Sequence, residues 1–130
     1  MDCRPDAIEQ AESGCFTASD LENTSASRRR RYFSLEHQKF RISPRLRQST
    51  TWRVGDFGAY REAEGWDLIL FRNVAIYLKP DYANTIWQRF DHLLNPGGLV
   101  VTGSAERPPE SLLWKRESPC IYRKPSPLST

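Results

Sequence analysis

Two apolar runs on either side of an amphipathic stretch dominate the second half of the chain. Residues 66–71 (WDLILF) are almost continuously apolar, which is typical of a strand buried on both faces. A second run, at 99–103, follows the turn-forming sequence NPGG at 95–98, which is a strong stop signal. Between the runs, apolar residues recur at helical spacing over 80–94. Strand, helix and strand in this order predict a βαβ unit with parallel strands and a right-handed crossover.

The rest of the chain carries shorter patterns, because nine prolines and seven glycines interrupt it often. Together with the βαβ unit, these patterns predict an α/β fold whose last strands are antiparallel. The shorter predicted elements are a helix at 5–13, a weaker helix at 19–33, and strands at 39–42, at 50–54, near 114 and at 120–123.

Length and composition narrow the class of protein. With 130 residues, of which 38% are hydrophobic, the chain is large enough for one domain with a core. No apolar run approaches the ~20 residues that a membrane-spanning helix requires, so we expect no membrane insertion. Three cysteines without C-x-x-C spacing favour neither a disulfide framework nor a zinc site. We therefore expect a protein of the reducing cytoplasm that holds no metal.

Basic residues are concentrated in one segment, although the net charge of the chain is only +3. The segment between Arg28 and Arg47 holds eight basic residues and one acidic residue. Such a patch attracts nucleic acid, an anionic surface or an acidic protein face, but a solvated basic helix and loop explains it equally well. Because no recognised nucleic-acid-binding motif accompanies the patch, nucleic acid is the least favoured partner. The basic residues are Arg28, Arg29, Arg30, Arg31, Lys39, Arg41, Arg45 and Arg47.

Polar side chains follow three predicted strands at the end where open α/β sheets bind ligands. Asp56 and Phe57 follow the strand at 50–54. A carboxylate beside an aromatic ring suits an adenine base, but an aspartate in a glycine-flanked turn is also commonplace. Ser104 and Glu106 follow the second strand of the βαβ unit. We expect these two groups, and a third after the first strand of the βαβ unit, to lie along one edge of the sheet.

Arg72 and Asn73 form the group after the remaining strand. They interrupt an apolar stretch, and because burying them unpaired is costly, they must face a ligand, a partner or water. A local acid that pairs with Arg72 and a turn that Asn73 caps would also explain them. Tyr77 would place its hydroxyl in the same cleft or serve as an ordinary core tyrosine. Neither His37 nor His92 stands in a setting suited to nucleophilic catalysis.

The sequence WDLILFRNVAIYL at 66–78, followed by a helix, NPGG and an apolar strand, closely resembles the C-terminal half of the CheR-type protein-glutamate O-methyltransferases. The sequences RYF at 31–33 and FRISP at 40–44 resemble further segments of that family. The resemblance implies a partial class I, Rossmann-like methyltransferase fold, with a mostly parallel sheet and antiparallel C-terminal strands. The C-terminal portion of that domain would span 1–124, followed by a disordered tail at 125–130.

The resemblance also implies a reaction and roles for individual residues. The reaction is methyl transfer from S-adenosylmethionine to glutamate side chains of a protein substrate, such as a chemotaxis-type receptor. Arg72 and Tyr77 would lie beside the transferred methyl group and the acceptor carboxylate. The residues that would hold the cofactor are Asp2 at the ribose, Asp56 and Phe57 at the adenine, and Asn73 in the pocket.

The chain departs from the family pattern at several points. The family's glycine-rich loop and N-terminal helical domain are missing, so we expect a truncated form or one part of a split enzyme with a separate N-terminal half. Arg4 stands where the family has a second acid, and GSAE at 103–106 replaces GHSE. We therefore expect the chain alone to be marginally stable and to bind the cofactor weakly or not at all. The alternative is a non-catalytic remnant that binds proteins through the basic patch between Arg28 and Arg47.

Overall fold

The computed structural model describes residues 1–59 and 65–127, and the chain divides into two compact units, Met1–Asp56 and Phe57–Thr130. The elements of the first unit are α1 (Pro5–Ser13), β1 (Cys15–Phe16), α2 (Ala26–Tyr32), β2 (Phe33–Glu36), β3 (Lys39–Ile42) and α3 (Pro44–Gln48). Its three strands form an antiparallel sheet in the order β1-β3-β2.

The first helix, α1, has the bounds that the sequence predicts. Pro5 occupies the first turn, where its missing N–H has no helical partner to lose. The helix ends at Gly14, which takes a left-handed φ of 65° and donates its N–H to the carbonyl of Ala11. A side chain would make this backbone conformation costly, so glycine suits the position.

The helix predicted at 19–33 is wrong in its first half. The carboxylate of Asp20 accepts hydrogen bonds from the backbone N–H and the hydroxyl of Thr17, both at 2.8 Å, and these bonds favour a turn over a helix. The helix starts only after Ser25, whose hydroxyl accepts a hydrogen bond from the N–H of Arg28. This side-chain cap determines where α2 begins.

A β-hairpin follows α2, and its first strand lies where the sequence predicts helix. β2 and β3 are joined by His37 and Gln38, both with left-handed φ angles, as in tight two-residue hairpin turns. β3 confirms a predicted strand. By contrast, the strand predicted at 50–54 is reduced to an isolated parallel bridge between Asp2 and Val54.

The described residues of the second unit form a four-stranded sheet and one long helix. Its elements are β4 (Trp66–Phe71), α4 (Pro80–Leu93), β5 (Leu94–Thr102), β6 (Lys115–Ser118) and β7 (Ile121–Arg123). The strand order is β4-β5-β7-β6; β4 and β5 are parallel and the other pairings are antiparallel. The sheet is therefore mixed, and the predicted βαβ unit and α/β class are confirmed. In the described part of the chain, no helix has the length and apolar character needed to cross a membrane.

The core of the second unit joins α4 to the sheet through an aromatic cluster. The ring of Phe71, at the end of β4, lies 4.9 Å from the ring of Phe90 and 5.2 Å from that of Trp87, both edge to face. Such pairs contribute about 0.5–1.5 kcal/mol beyond their burial, so the cluster holds α4 against the C-terminal end of β4. The buried members of the core are Phe71, Ile86, Trp87, Phe90, Leu94, Val100 and Leu112.

β4 is buried on one face only, and the prediction of burial on both faces is wrong. Ile69 and Phe71 pack on the core, whereas Leu68 and Leu70 on the opposite face are 48% and 66% exposed. β4 is also the edge strand of its sheet. An apolar run does not reveal how many layers cover a strand, because the same side chains occur on covered and on open faces.

α4 ends at Leu93, just before the sequence NPGG at 95–98, as the predicted stop requires, but NPGG itself lies inside β5 and not in a turn. The register of the β4–β5 pairing shifts across it, and Gly97 takes a left-handed φ of 78°. The turn-forming residues therefore produce a local irregularity in the strand, after which regular pairing continues.

Candidate functional site

The loop that leaves β4 has an unusual backbone. Phe71, the last residue of the strand, is 1% exposed, and Arg72 and Asn73 follow it at the surface. Asn73 has a φ of 57°, a left-handed conformation that asparagine adopts more readily than most residues. A short 3₁₀ turn, Ala75–Tyr77, comes next. The sharp exit from the strand brings Arg72, Asn73 and Tyr77 together on one short loop.

Glu106 binds the backbone of this loop from beyond the end of β5. The residue is 3% exposed, and its carboxylate accepts hydrogen bonds from four backbone N–H groups. Oε2 accepts from Asn73 and Gly103, both at 2.7 Å, and Oε1 from Val74 and Ala75, both at 2.6 Å. Bonds to a charged acceptor are shorter and stronger than neutral ones. We name this arrangement, Glu106 with the four N–H groups, the Glu106 cage.

The pKa of Glu106 lies below its ordinary value of 4.5. Burial by itself raises this pKa, because it penalises the charged form, but the backbone hydrogen bonds from the cage together lower it by more. The carboxylate is therefore ionised at neutral pH, where all four hydrogen bonds are made.

Close packing at the end of β5 requires glycine at position 103. A Cβ atom on Gly103 would lie 2.8 Å from Oε2 of Glu106 and 3.0 Å from the backbone nitrogen of Asn73. The neighbouring Thr102 is 1% exposed and donates its hydroxyl to the carbonyl of Gly103 at 3.0 Å. The turn after β5 thus leaves room for the carboxylate to fold back onto the β4 loop.

The polar side chains of the β4 loop are accessible. Tyr77 is 82% exposed, so it is not a core tyrosine, and Arg72 and Asn73 are exposed as well. Within residues 1–59 and 65–127, no group pairs with the guanidinium of Arg72, the carboxamide of Asn73 or the hydroxyl of Tyr77. The alternative in which a local acid neutralises Arg72 therefore finds no support in the described residues.

Phe57, predicted to contact an adenine, packs against the core of the second unit. Its ring lies 5.4 Å from that of Phe71 and 6.2 Å from that of Phe90, both edge to face. The side chain of Arg89, on α4, donates a hydrogen bond to the carbonyl of Gly58. Phe57 is only partly buried, although its ring packs against the core beside α4.

Asp2 and Asp56 belong to the first unit, where backbone pairing brings their segments side by side. The N–H of Asp2 donates to the carbonyl of Arg53 at 3.2 Å, and the N–H of Gly55 donates to the carbonyl of Asp2 at 3.0 Å. Asp2 itself forms the parallel bridge with Val54, two residues before Asp56. The carboxylate of Asp2 accepts hydrogen bonds from Arg4, which also lower its pKa.

Sequence reasoning placed Glu106 at the sheet edge but missed its function as an anchor. The useful signal is a glutamate three residues after the glycine that ends a buried strand, because such a spacing lets a carboxylate fold back onto nearby N–H groups.

The chain matches one family model and several curated proteins. Residues 1–121 match the model described as "CheR methyltransferase, SAM binding domain". The chain is 34% identical over 111 residues to the "Probable chemotaxis protein methyltransferase" of Rhizobium etli, a match that covers 82% of this chain and 41% of the relative. It is 28% identical over 106 residues to the "Chemotaxis protein methyltransferase" of Listeria monocytogenes, covering 82% and 40%.

Among solved structures, the chain is similar to the N-methyltransferase NodS from Bradyrhizobium japonicum WM9 in complex with S-adenosyl-L-homocysteine, with a TM-score of 0.48 and 20% identity over 63% of this chain and 59% of that chain. The chain spans about two-fifths of the length of the two curated relatives. The family match extends over nearly the whole chain, and S-adenosylmethionine is the cofactor of the matched domain. This chain therefore belongs to the CheR methyltransferase family, in its S-adenosylmethionine-binding domain.

Proposed function

We propose that this protein takes part in the S-adenosylmethionine-dependent methyl esterification of glutamate side chains in a protein substrate. One observation carries the proposal: Arg72, Asn73 and Tyr77 are exposed on a loop whose backbone the Glu106 cage holds. Polar side chains on a held backbone can orient a reactant at little cost in conformational entropy.

The proposed reaction does not require the chain to transfer a proton. When bound, S-adenosylmethionine would supply a sulfonium methyl group: the methyl–sulfur bond breaks as an oxygen of the acceptor carboxylate bonds to the methyl carbon, which gives a methyl ester and S-adenosylhomocysteine. The chain's own residues need not provide a general base, because a glutamate carboxylate is already ionised at pH 7. Their contribution is to bind, to orient the acceptor and to exclude water.

Three side chains of the β4 loop fit these tasks. The planar guanidinium of Arg72 can donate two parallel hydrogen bonds to the acceptor carboxylate, which fixes the direction of its oxygens. The hydroxyl of Tyr77 can donate a further bond to the same group. The carboxamide of Asn73 offers both donors and an acceptor, which suits the polar groups of the cofactor.

We assign the nucleoside end of the cofactor to Asp2, Asp56 and Phe57. For the two aspartates, the assignment is supported by the backbone pairing of Asp2 with the segment that precedes Asp56. For Phe57, it is supported by the aromatic ring of a partly buried residue, which can pack on an adenine face. The bonds between Arg4 and Asp2 compete with ribose hydroxyls for the carboxylate, but the pair is exposed and such pairs are weak.

The acceptor that we propose is a chemotaxis-type receptor, because the curated relatives are named as chemotaxis methyltransferases. Those relatives are longer than this chain. Activity is therefore best sought both in this chain alone and in mixtures with the N-terminal half of a relative.

Methyl transfer from labelled S-adenosylmethionine tests the proposal. We expect alkali-labile label in a receptor fragment, since an ester hydrolyses in base and an N-methyl group does not. Arg72→Ala, Asn73→Ala and Tyr77→Phe should each lower the rate by about 10-fold to 100-fold, as misplaced reactants do. Arg116→Ala is the matched control, because Arg116 is exposed on β6, at the opposite edge of the sheet from β4 and outside the basic patch, and it should transfer methyl at the wild-type rate.

Two results would contradict the proposal. Alkali-stable label would mean that the acceptor is not a carboxylate. Wild-type rates in the three loop variants, or an equal loss in Arg116→Ala, would mean that the β4 loop is not the site.

A further inference from the structure

We propose that Glu106 is a positioning residue, which holds the Asn73 carboxamide in the orientation that binds the cofactor. This inference rests on the proposed function, because it assigns a task to a residue behind the same site. Glu106 is buried and does not itself face the surface, so it acts through the backbone that it binds.

The contacts single out Asn73 among the residues of the loop. Asn73 donates its N–H to Oε2 of Glu106 at 2.7 Å, and the same oxygen accepts the N–H of Gly103 at 2.7 Å. The carboxamide oxygen of Asn73 lies so close to Gly103 that a side chain at 103 would collide with it. The end of β5 therefore limits the Asn73 side chain while the cage limits its backbone.

The left-handed backbone of Asn73 makes the anchor necessary. Asparagine adopts a φ of 57° more readily than most residues, but this conformation is still less favourable than an ordinary one and needs support from its surroundings. The next two N–H groups, from Val74 and Ala75, both donate to Oε1 of Glu106 at 2.6 Å. Three consecutive N–H groups bound to one carboxylate leave the backbone no freedom to relax into an ordinary conformation.

A carboxylate is required for this task, and an amide does not replace it. The four N–H groups need an acceptor on both oxygens. In Glu106→Gln, one oxygen becomes an NH₂ group that donates and cannot accept. That variant has nearly the same size and shape, so it removes half of the cage without opening a cavity.

A double-mutant cycle separates positioning from general structural support. The readout is the affinity for S-adenosylhomocysteine, measured by NMR titration of the full chain, which reports weak binding as well as tight binding. We expect Glu106→Gln to weaken binding by about tenfold, a coupling within the usual range for residues in one network. Asn73→Gly keeps the left-handed backbone but removes the carboxamide. In that background we expect Glu106→Gln to have no further effect on cofactor affinity, because the carboxamide that Glu106 positions toward the cofactor is absent.

The outcomes distinguish the inference from the proposed function. Equal weakening by Glu106→Gln in both backgrounds would overturn the positioning role, but the proposal that this chain binds the cofactor would stand. If the spectrum of the wild-type chain does not change up to millimolar S-adenosylhomocysteine, the proposal of cofactor binding by this chain is overturned, and the positioning role with it. Glu110→Gln, an exposed glutamate nearby, is the control and should bind as the wild type does.

A second variant keeps the test valid if Glu106→Gln does not fold, as shown by loss of dispersed amide signals. Glu106→Asp retains the charge on a side chain one methylene shorter, and it enters the same cycle. We expect it to weaken binding in the wild-type background and to have no effect with Asn73→Gly. Equal effects in both backgrounds would again overturn the inference.

Discussion

At the scale of single residues, the Glu106 cage couples the charge of one carboxylate to the shape of a loop. The coupling has a defined pH dependence, because the pKa of Glu106 is lower in the folded chain than its ordinary value of 4.5. A lowered pKa stabilises the fold at pH values above the ordinary one, and this stability is lost as the pH falls through the folded pKa. Acid should therefore release the β4 loop.

We predict that the free energy of unfolding of Glu106→Gln falls less steeply at acid pH than that of the wild type. At neutral pH the substitution should lower the free energy of unfolding by about 1–3 kcal/mol, because buried N–H groups lose their acceptor. As the pH falls below the ordinary value of 4.5, the wild type should lose more stability than the variant. Urea unfolding followed by tryptophan fluorescence measures both. Parallel profiles for the two proteins would contradict the prediction, and Glu110→Gln should follow the wild type.

Other carboxylates do not obscure this comparison. The pKa values of Asp2, Asp20 and Glu36 are also lowered, each by local hydrogen bonds within the first unit. Their effects are present in both proteins, so the difference between the two profiles reports Glu106 alone.

The sequence predicts which residues stand at the sheet end, but it does not predict what holds them there. Arg72, Asn73 and Tyr77 are identifiable because polar residues interrupt an apolar run. The cage depends on backbone N–H groups, which every residue except proline carries, so no side-chain pattern marks them. Only the glutamate end of the interaction is visible in the sequence.

At the scale of elements, the two faces of β4 have different energetic weight. Phe71 is fully buried against α4, whereas its neighbour Leu70 is 66% exposed. We predict that Phe71→Ala lowers the free energy of unfolding by about 3–5 kcal/mol. Leu70→Ala, the matched control on the same strand, should change it by less than about 0.5 kcal/mol. Urea unfolding compares them, and similar costs would mean that both faces are covered.

The long, strongly periodic elements are predictable from the sequence and the short ones are not. α4 and β5 bury regular stripes, so their type follows from hydrophobic spacing. In the segment before α2, local hydrogen bonds of Asp20 and Ser25 decide between turn and helix, and these outweigh weak propensities. NPGG lies within β5 because the strand pairs with β4 both before it, at Leu94, and after it, from Leu99 onward.

At the scale of the whole molecule, the open face of β4 has consequences for association. The strand is the edge of its sheet and exposes Trp66, Leu68 and Leu70. Edge strands with apolar side chains offer both backbone groups and surface to another chain.

We predict that the chain associates as its concentration rises, and that Leu70→Lys suppresses this association. Light scattering coupled to size-exclusion chromatography measures the mass at several concentrations. Leu113→Lys is the matched control, because Leu113 is 79% exposed but lies outside the strands; it should associate as the wild type does. A constant monomer mass for the unaltered chain would refute the prediction.

The position of Glu106 along the chain also bears on the order of folding. Glu106 lies 33 residues after Asn73, and the helix α4 and the strand β5 intervene. Bringing Glu106 to Asn73 closes a long loop, and the loss of chain entropy is not offset by contacts within the loop residues alone. We expect the hairpin and α4 to form early, and the β4 loop to acquire its final backbone only in the last kinetic step.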